Sequence, residues 1–264
     1  MTSITTTWLD YREVYPTHHV SGNLKVLHQL WSPQLRNARD ILLWLPPSYQ
    51  HSRRHYPVIY MQDAQNLFDP ATSFGGQTWH VGETMTALGR EGIEAIVVGI
   101  PHMGEQRIVE YNPFPSRHPG RGEQYVEFLL ETLKPLVDRD FRTLPMRERT
   151  GIVGSSMGAL IGLYAFFHPS HGFGFVGALS PAFWFSRGAI YDYVEDARFV
   201  EGKIYLDNGS RENSAWSMYM LLRDKGYQRG SELFYIRERG AGHHESAWAR
   251  RLPKALRWLL RQEG

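Results

Sequence analysis

The chain has 264 residues, with 29 Lys and Arg against 27 Asp and Glu and a formal net charge of +2. That near-balance, with no basic stripe along any helical pattern, argues against a nucleic-acid partner. The absence of cysteine excludes disulfides, thiolate nucleophiles and cysteine-ligated metal sites. No stretch reaches the roughly 20 apolar residues that a membrane-spanning helix needs. The first thirty residues, broken by Asp10, Arg12, Glu13, His18 and His19, read as neither a signal nor an anchor. A cytoplasmic protein with no membrane partner is therefore expected, and residues 1–20 read as an N-terminal tail with His18 and His19 solvated.

Taken in chain order, residues 22–31 alternate apolar and polar positions, and 41–45 form an apolar run stopped by Pro46 and Pro47. The two predict an antiparallel pair at a sheet edge. Short apolar runs follow at 57–61, 95–100, 149–153, 175–179, 203–206 and 233–236, the pattern of strands covered on both faces. Helical patterns intervene at 80–91, 123–138, 157–167, 214–225 and 246–262. Strand–helix alternation of this kind predicts an α/β fold: one domain over 1–264, a mostly parallel central sheet with helices on both faces and antiparallel N-terminal strands. Gly172-Phe173-Gly174-Phe175-Val176-Gly177 matches a dinucleotide fingerprint by letter, but it leads into a strand rather than a helix and reads as a loop.

Gly154-Ser155-Ser156-Met157-Gly158 is a G-x-S-x-G elbow between an apolar strand and a helix-forming run. Such a turn exposes the central serine, here Ser156 rather than its neighbour Ser155, and aims the helix N-terminus and the Met157 N–H at a developing oxyanion. The matching base belongs in a loop near the C-terminus. Gly240-Ala241-Gly242-His243-His244-Glu245 is such a loop, and His243 and His244 are both candidates. The acid belongs beyond the strand at 203–206, where Asp207 and Glu212 compete; Asp207 could instead cap the Asn208-Gly209 turn. The loop after 57–61 offers a second oxyanion donor, a backbone N–H near Gln65, with Asp63 bracing the loop by bonding backbone N–H groups. Arg107 and Glu110 are expected to pair near the rim. Trp184, Phe183 and Trp79 are candidates for the acyl pocket, or for core packing. No third ligand accompanies His243 and His244, so no metal site is expected.

At these residues the chain resembles the putative-esterase family of the α/β-hydrolases, which includes enterochelin esterases, S-formylglutathione hydrolase, feruloyl esterases and mycolyltransferases. The resemblance runs from about residue 20 to 260. It rests on 60–69 (Tyr-Met-Gln-Asp-Ala-Gln-Asn-Leu-Phe-Asp), 107–113 (Arg-Ile-Val-Glu-Tyr-Asn-Pro), 154–158, 180–184 (Ser-Pro-Ala-Phe-Trp), and 242–245 with Trp248. The resemblance implies His243 as base and, through the Gly209-Ser210-Arg211-Glu212 turn, Glu212 as acid. Where the family has Asp-Gly in the oxyanion loop, this chain has Asp63-Ala64, and a positive φ at Ala64 would carry strain. The implied function is a serine esterase working through an acyl-enzyme on Ser156, on a small-molecule ester, without cofactor. Transfer of the acyl group to an alcohol in the manner of mycolyltransferases, or cleavage of a siderophore trilactone, are the alternatives; a catalytically silent binding module is a third. Arg107 joins Trp184 and Phe183 as a possible pocket residue.

Overall fold

The structure, a computed structural model, describes residues 7–114 and 119–261. Its strands are β1 (Leu9–Asp10), β2 (Asn23–Ser32), β3 (Asn37–Leu45), β4 (Val58–Gln62), β5 (Ile96–Ile100), β6 (Thr150–Ser155), β7 (Phe175–Leu179), β8 (Lys203–Gly209) and β9 (Leu233–Glu238). They form a single sheet in the order β1-β2-β3-β5-β4-β6-β7-β8-β9. The pairs from β1 to β5 in that order are antiparallel; β5 to β9 run parallel. The helices are α1 (Tyr11–Val14), α2 (Val81–Arg90), α3 (Arg107–Glu110), α4 (Gly122–Glu127), α5 (Lys134–Asp140), α6 (Met157–Phe167), α7 (Ala189–Asp196), α8 (Trp216–Asp224) and α9 (Glu245–Leu260).

The apolar runs of β4 to β7 are buried at every position, because helices cover both faces of a parallel sheet. One layer holds α4, α5 and α6 through residues such as Val126, Leu136 and Leu160. The other holds α2 and α9 through Met85, Leu88, Leu252 and Leu256. Every residue of α6 is buried, as its uniformly apolar sequence requires.

Four expectations are refined. The helix read at 123–138 starts at Gly122 and passes from α4 through π-type turns, Phe128–Leu133, into α5. The strand read at 203–206 continues to Gly209, because Asp207, Asn208 and Gly209 stay in register with Ile236, Arg237 and Glu238 of β9. Helices α1, α3 and α7 lie outside the helical patterns of the sequence; α1 and α3 are only four residues long, and α7 is eight. Finally, the expectation of a tail over 1–20 is corrected from residue 7 onward. Leu9 and Asp10 pair with β2; Tyr11 is buried, and its hydroxyl donates to Asp69 at 2.6 Å. His18 is not free in solvent either: its Nδ1 lies 2.6 Å from Asp69 Oδ2 and its ring stacks on Tyr15. His19 is exposed.

Candidate active site

The G-x-S-x-G segment folds as a sharp reversal between β6 and α6. Ser156 alone carries the turn, at φ 53° and ψ −119°, a conformation that costs a non-glycine residue roughly 1–3 kcal/mol. Its neighbours make the turn feasible. A Cβ on Gly154 would stand 2.6 Å from Gln62 Oε1 and 2.7 Å from the carbonyl carbon of Gly158, so the chain can cross itself only without a side chain there. The backbone is pinned on both sides: Ser156 N donates to Leu179 O at 3.0 Å, and Ser156 O accepts from Ala182 N at 3.0 Å. Ser156 is half-buried and faces a cavity, whereas Ser155 is buried within the strand.

Of the two candidate bases, the structure gives His243 and His244 different work. His244 caps α9, its Nδ1 accepting from Ala247 N at 3.3 Å. His243 sets its Nδ1 2.7 Å from Glu212 Oε2 and meets Trp248 edge to face, with ring centroids 5.1 Å apart. The turn after β8 brings this about. A Cβ on Gly209 would lie 2.2 Å from Ala241 O, so the two loops touch, and Arg211 N donates to Ala241 O at 3.0 Å. Glu212 is almost fully buried. Burial pushes its carboxyl upward, but hydrogen bonds from His243, the Gly209 N–H and the Ser180 hydroxyl outweigh that, and the net shift is downward. Glu212 is thus held ionised.

Asp207, the competing acid, faces elsewhere. It lies within β8, is wholly buried, accepts from Ser180 N at 3.1 Å, and pairs with Arg251 Nε at 3.1 Å. Desolvation pushes its carboxyl up to about 7, against the pull of Arg251. Arg251 itself is a residue that sequence reading missed. From the buried face of α9 its Nη2 donates to Ser180 Oγ at 2.6 Å, and that hydroxyl donates onward to Glu212 Oε1 at 2.7 Å. Only its spacing, eight residues after His243 on the apolar face of the helix, could have hinted at this.

The loop after β4 departs from expectation in two respects. Positive φ falls on Asp63 (58°) and not on Ala64, which sits in the following tight turn Ala64–Asn66; the strain expected from Ala at the family's glycine position does not arise. A Cβ on Gly99 would come within 2.9 Å of Ala64 Cβ, so the bare backbone of β5 gives Ala64 its room. Nor does Asp63 brace backbone N–H groups. It takes a two-pronged contact from Arg107, Nε to Oδ1 at 2.8 Å and Nη2 to Oδ2 at 2.7 Å. The expected Arg107–Glu110 pair is corrected accordingly: Glu110 is held by buried Arg39, at 2.9 and 2.8 Å, and by Asn37 at 2.8 Å. Gln65 is fixed through its carbonyl, which accepts from Thr72 Oγ1 at 2.8 Å and Ser73 Oγ at 3.1 Å.

A cavity of about 590 Å³ gathers Gln65, Phe74, His102, Arg107, Ser156 and His243. His102 accepts from Gly104 N at its Nδ1 (3.0 Å), and burial lowers its pKa. A second cleft, about 390 Å³, also borders His243 and carries Trp184, Arg211 and Glu212. Trp184 is exposed; Phe183 is buried and reaches only the next recess along; Trp79 is buried in the core beneath Trp248 and is not a pocket residue. Clefts of similar or larger size at Arg147 and Lys203 (440 Å³) and at Trp44 and Glu83 (950 Å³) hold none of these groups. Chemistry rather than size singles out the Ser156 cavity.

The doubly covered parallel sheet, with a strained serine between its central strand and a buried helix, defines an α/β-hydrolase. Residues 32–259 match the family described as "Putative esterase", and the chain belongs to that family: it is a carboxylic ester hydrolase. A protein of Bacillus subtilis (strain 168), described as uncharacterized protein YbbA, is 25% identical over 242 residues, 84% of this chain and 92% of its own. Among solved structures, a ferulic acid esterase superposes with a TM-score of 0.71 at 22% identity, covering 90% of this chain and 98% of that one. The enterochelin esterase of Shigella flexneri gives 0.70 at 18% identity, covering 98% of this chain but 59% of that longer one.

Proposed function

We propose that the protein is a serine esterase in which Ser156 is the nucleophile, His243 the general base and Glu212 the acid that orients it. One observation carries this reading. His243 places one ring nitrogen 2.7 Å from the buried Glu212 carboxylate while facing the same cavity as Ser156. In the proposed cycle His243 takes the Ser156 proton, the alkoxide attacks the ester carbonyl, and the N–H groups of Met157 and Gln65 hold the oxyanion. Collapse expels the alcohol and leaves an acyl-enzyme, which water resolves. Glu212 keeps the imidazole in the tautomer whose Nε2 can accept and stabilises the imidazolium that forms. No cofactor enters this chemistry.

The substrate is a small-molecule ester. The structures named for ferulic acid and enterochelin suggest ferulate esters and enterochelin as the first panel to test. Water is the proposed acceptor, and adding alcohols to the assay distinguishes acyl transfer. Among the described residues no helix is long and apolar enough to cross a membrane; we place the enzyme in the cytoplasm. The direct test is a fluorophosphonate probe: it should label folded wild-type protein at Ser156 and leave Ser156→Ala unlabelled. Full turnover in Ser156→Ala would end the proposal.

A further inference from the structure

The cleft beside His243 has a composition of its own. It shares His243 with the main cavity but not Ser156, Gln65 or Phe74. Trp184 stands at its edge, 59% exposed. The turn that follows places Ser186 and Arg187 at positive φ (49° and 58°) ahead of Gly188. Arg211, which also lines the cleft, is exposed, and among the described residues its guanidinium joins no ion pair. The carboxylate beside it, Glu212, is already engaged by His243, Ser180 and the Gly209 N–H.

We propose that this cleft is the subsite for the alcohol part of the substrate, and that it selects alcohols carrying a flat apolar ring and an acidic group. The inference rests on the triad reading above and follows from its proton balance. When the tetrahedral intermediate collapses, the carbon–oxygen bond to the alcohol breaks and its electron pair stays on that oxygen. The proton that His243 took from Ser156 passes to the same oxygen, and the acyl–Ser156 bond remains. The departing alcohol must therefore lie on the imidazole side, while the acyl group stays with the oxyanion donors in the larger cavity. The cleft that adjoins the imidazole offers the exposed indole of Trp184, which suits a flat ring, and the guanidinium of Arg211, which suits a carboxylate or sulfonate.

Three butyrate esters that differ only in the alcohol test this: ethyl, 2-naphthyl and 6-sulfo-2-naphthyl. Comparing each variant with wild type cancels the intrinsic reactivity of the leaving groups. Trp184→Ala should lower kcat/KM for both naphthyl esters about tenfold, the effect of one aromatic contact, with ethyl butyrate within about twofold of wild type. Arg211→Gln should abolish the preference for the sulfonated ester. Hydrolysis of the common butyryl-enzyme, read after the burst, should be unchanged in both, since the alcohol has left by then. Equal losses on all three esters, or slower breakdown of the butyryl-enzyme, would overturn the subsite while leaving the triad standing. Failure of wild type to carry a butyryl group on Ser156 by intact mass would remove the triad, and the subsite with it.

Discussion

Arg251 and Glu212 share a hydroxyl as well as a direct ion pair: the guanidinium donates to Ser180 Oγ at 2.6 Å, that oxygen donates to the carboxylate at 2.7 Å, and Arg251 Nη1 lies 3.8 Å from Glu212 Oε1. A buried cation on the terminal helix thus fixes the side chain that orients the candidate base. Replacing Arg251 by Met leaves Asp207 buried without its cation, which should cost about 3–5 kcal/mol and lower kcat through a loosened Glu212. Arg251→Met with Asp207→Asn removes both charges. Urea unfolding should show most of the stability restored, while kcat stays low because Ser180 has still lost its partner.

The two carboxylates near that cation predict opposite pH responses. Glu212 lies below the ordinary carboxylate range in the folded protein, so its contribution is complete above that range and disappears as pH falls through the depressed value. Asp207 is raised to about 7. The folded state keeps that proton longer than the unfolded chain does, so stability falls as pH rises from the ordinary carboxylate range toward 7. Urea titrations at stepped pH should show Glu212→Gln flattening the acid side of the profile and Asp207→Asn flattening the decline toward neutrality.

Arg39 and Glu110 form a doubly hydrogen-bonded pair, each side chain 1% exposed. Glu110→Gln should destabilise the fold by about 3–5 kcal/mol, because a buried guanidinium loses its counter-charge. Arg39→Met combined with Glu110→Gln should recover much of that loss in thermal melts.

Gly154→Ala tests the elbow without touching a reactive group. The added methyl meets Gln62 Oε1 and the Gly158 backbone at under 3 Å, and a displacement of about 1 Å at a nucleophile costs about 10²-fold in rate. Fluorophosphonate labelling at Ser156 should slow by about that factor, with the far-UV circular dichroism spectrum retained.

The elbow was legible in the sequence because its glycines sit between an apolar strand and an apolar helix, a local pattern. The parallel core was legible for the same reason. What stayed hidden depends on partners far away in the chain. Arg107 looked committed to Glu110 three residues on, yet its partner Asp63 lies 44 residues upstream. Arg251 reads as one more basic residue of a surface helix until Ser180, 71 residues earlier, is seen beneath it. Two-residue β1 is too short for any periodicity. Asp207 and Glu212 could be separated by resemblance but not by pattern, since only the full length of β8 shows which of them faces inward.

Helix α6, buried at all eleven positions, has a consequence for how this enzyme could acquire new specificities. The shaft carrying the serine cannot tilt without emptying the interior around it, so laboratory evolution should find almost no tolerated change along it. Adaptive substitutions should gather instead, Gln65 and Glu212 apart, in the three connecting segments around 65–74, 181–188 and 210–215, which touch ligand space without carrying the reactive hydroxyl.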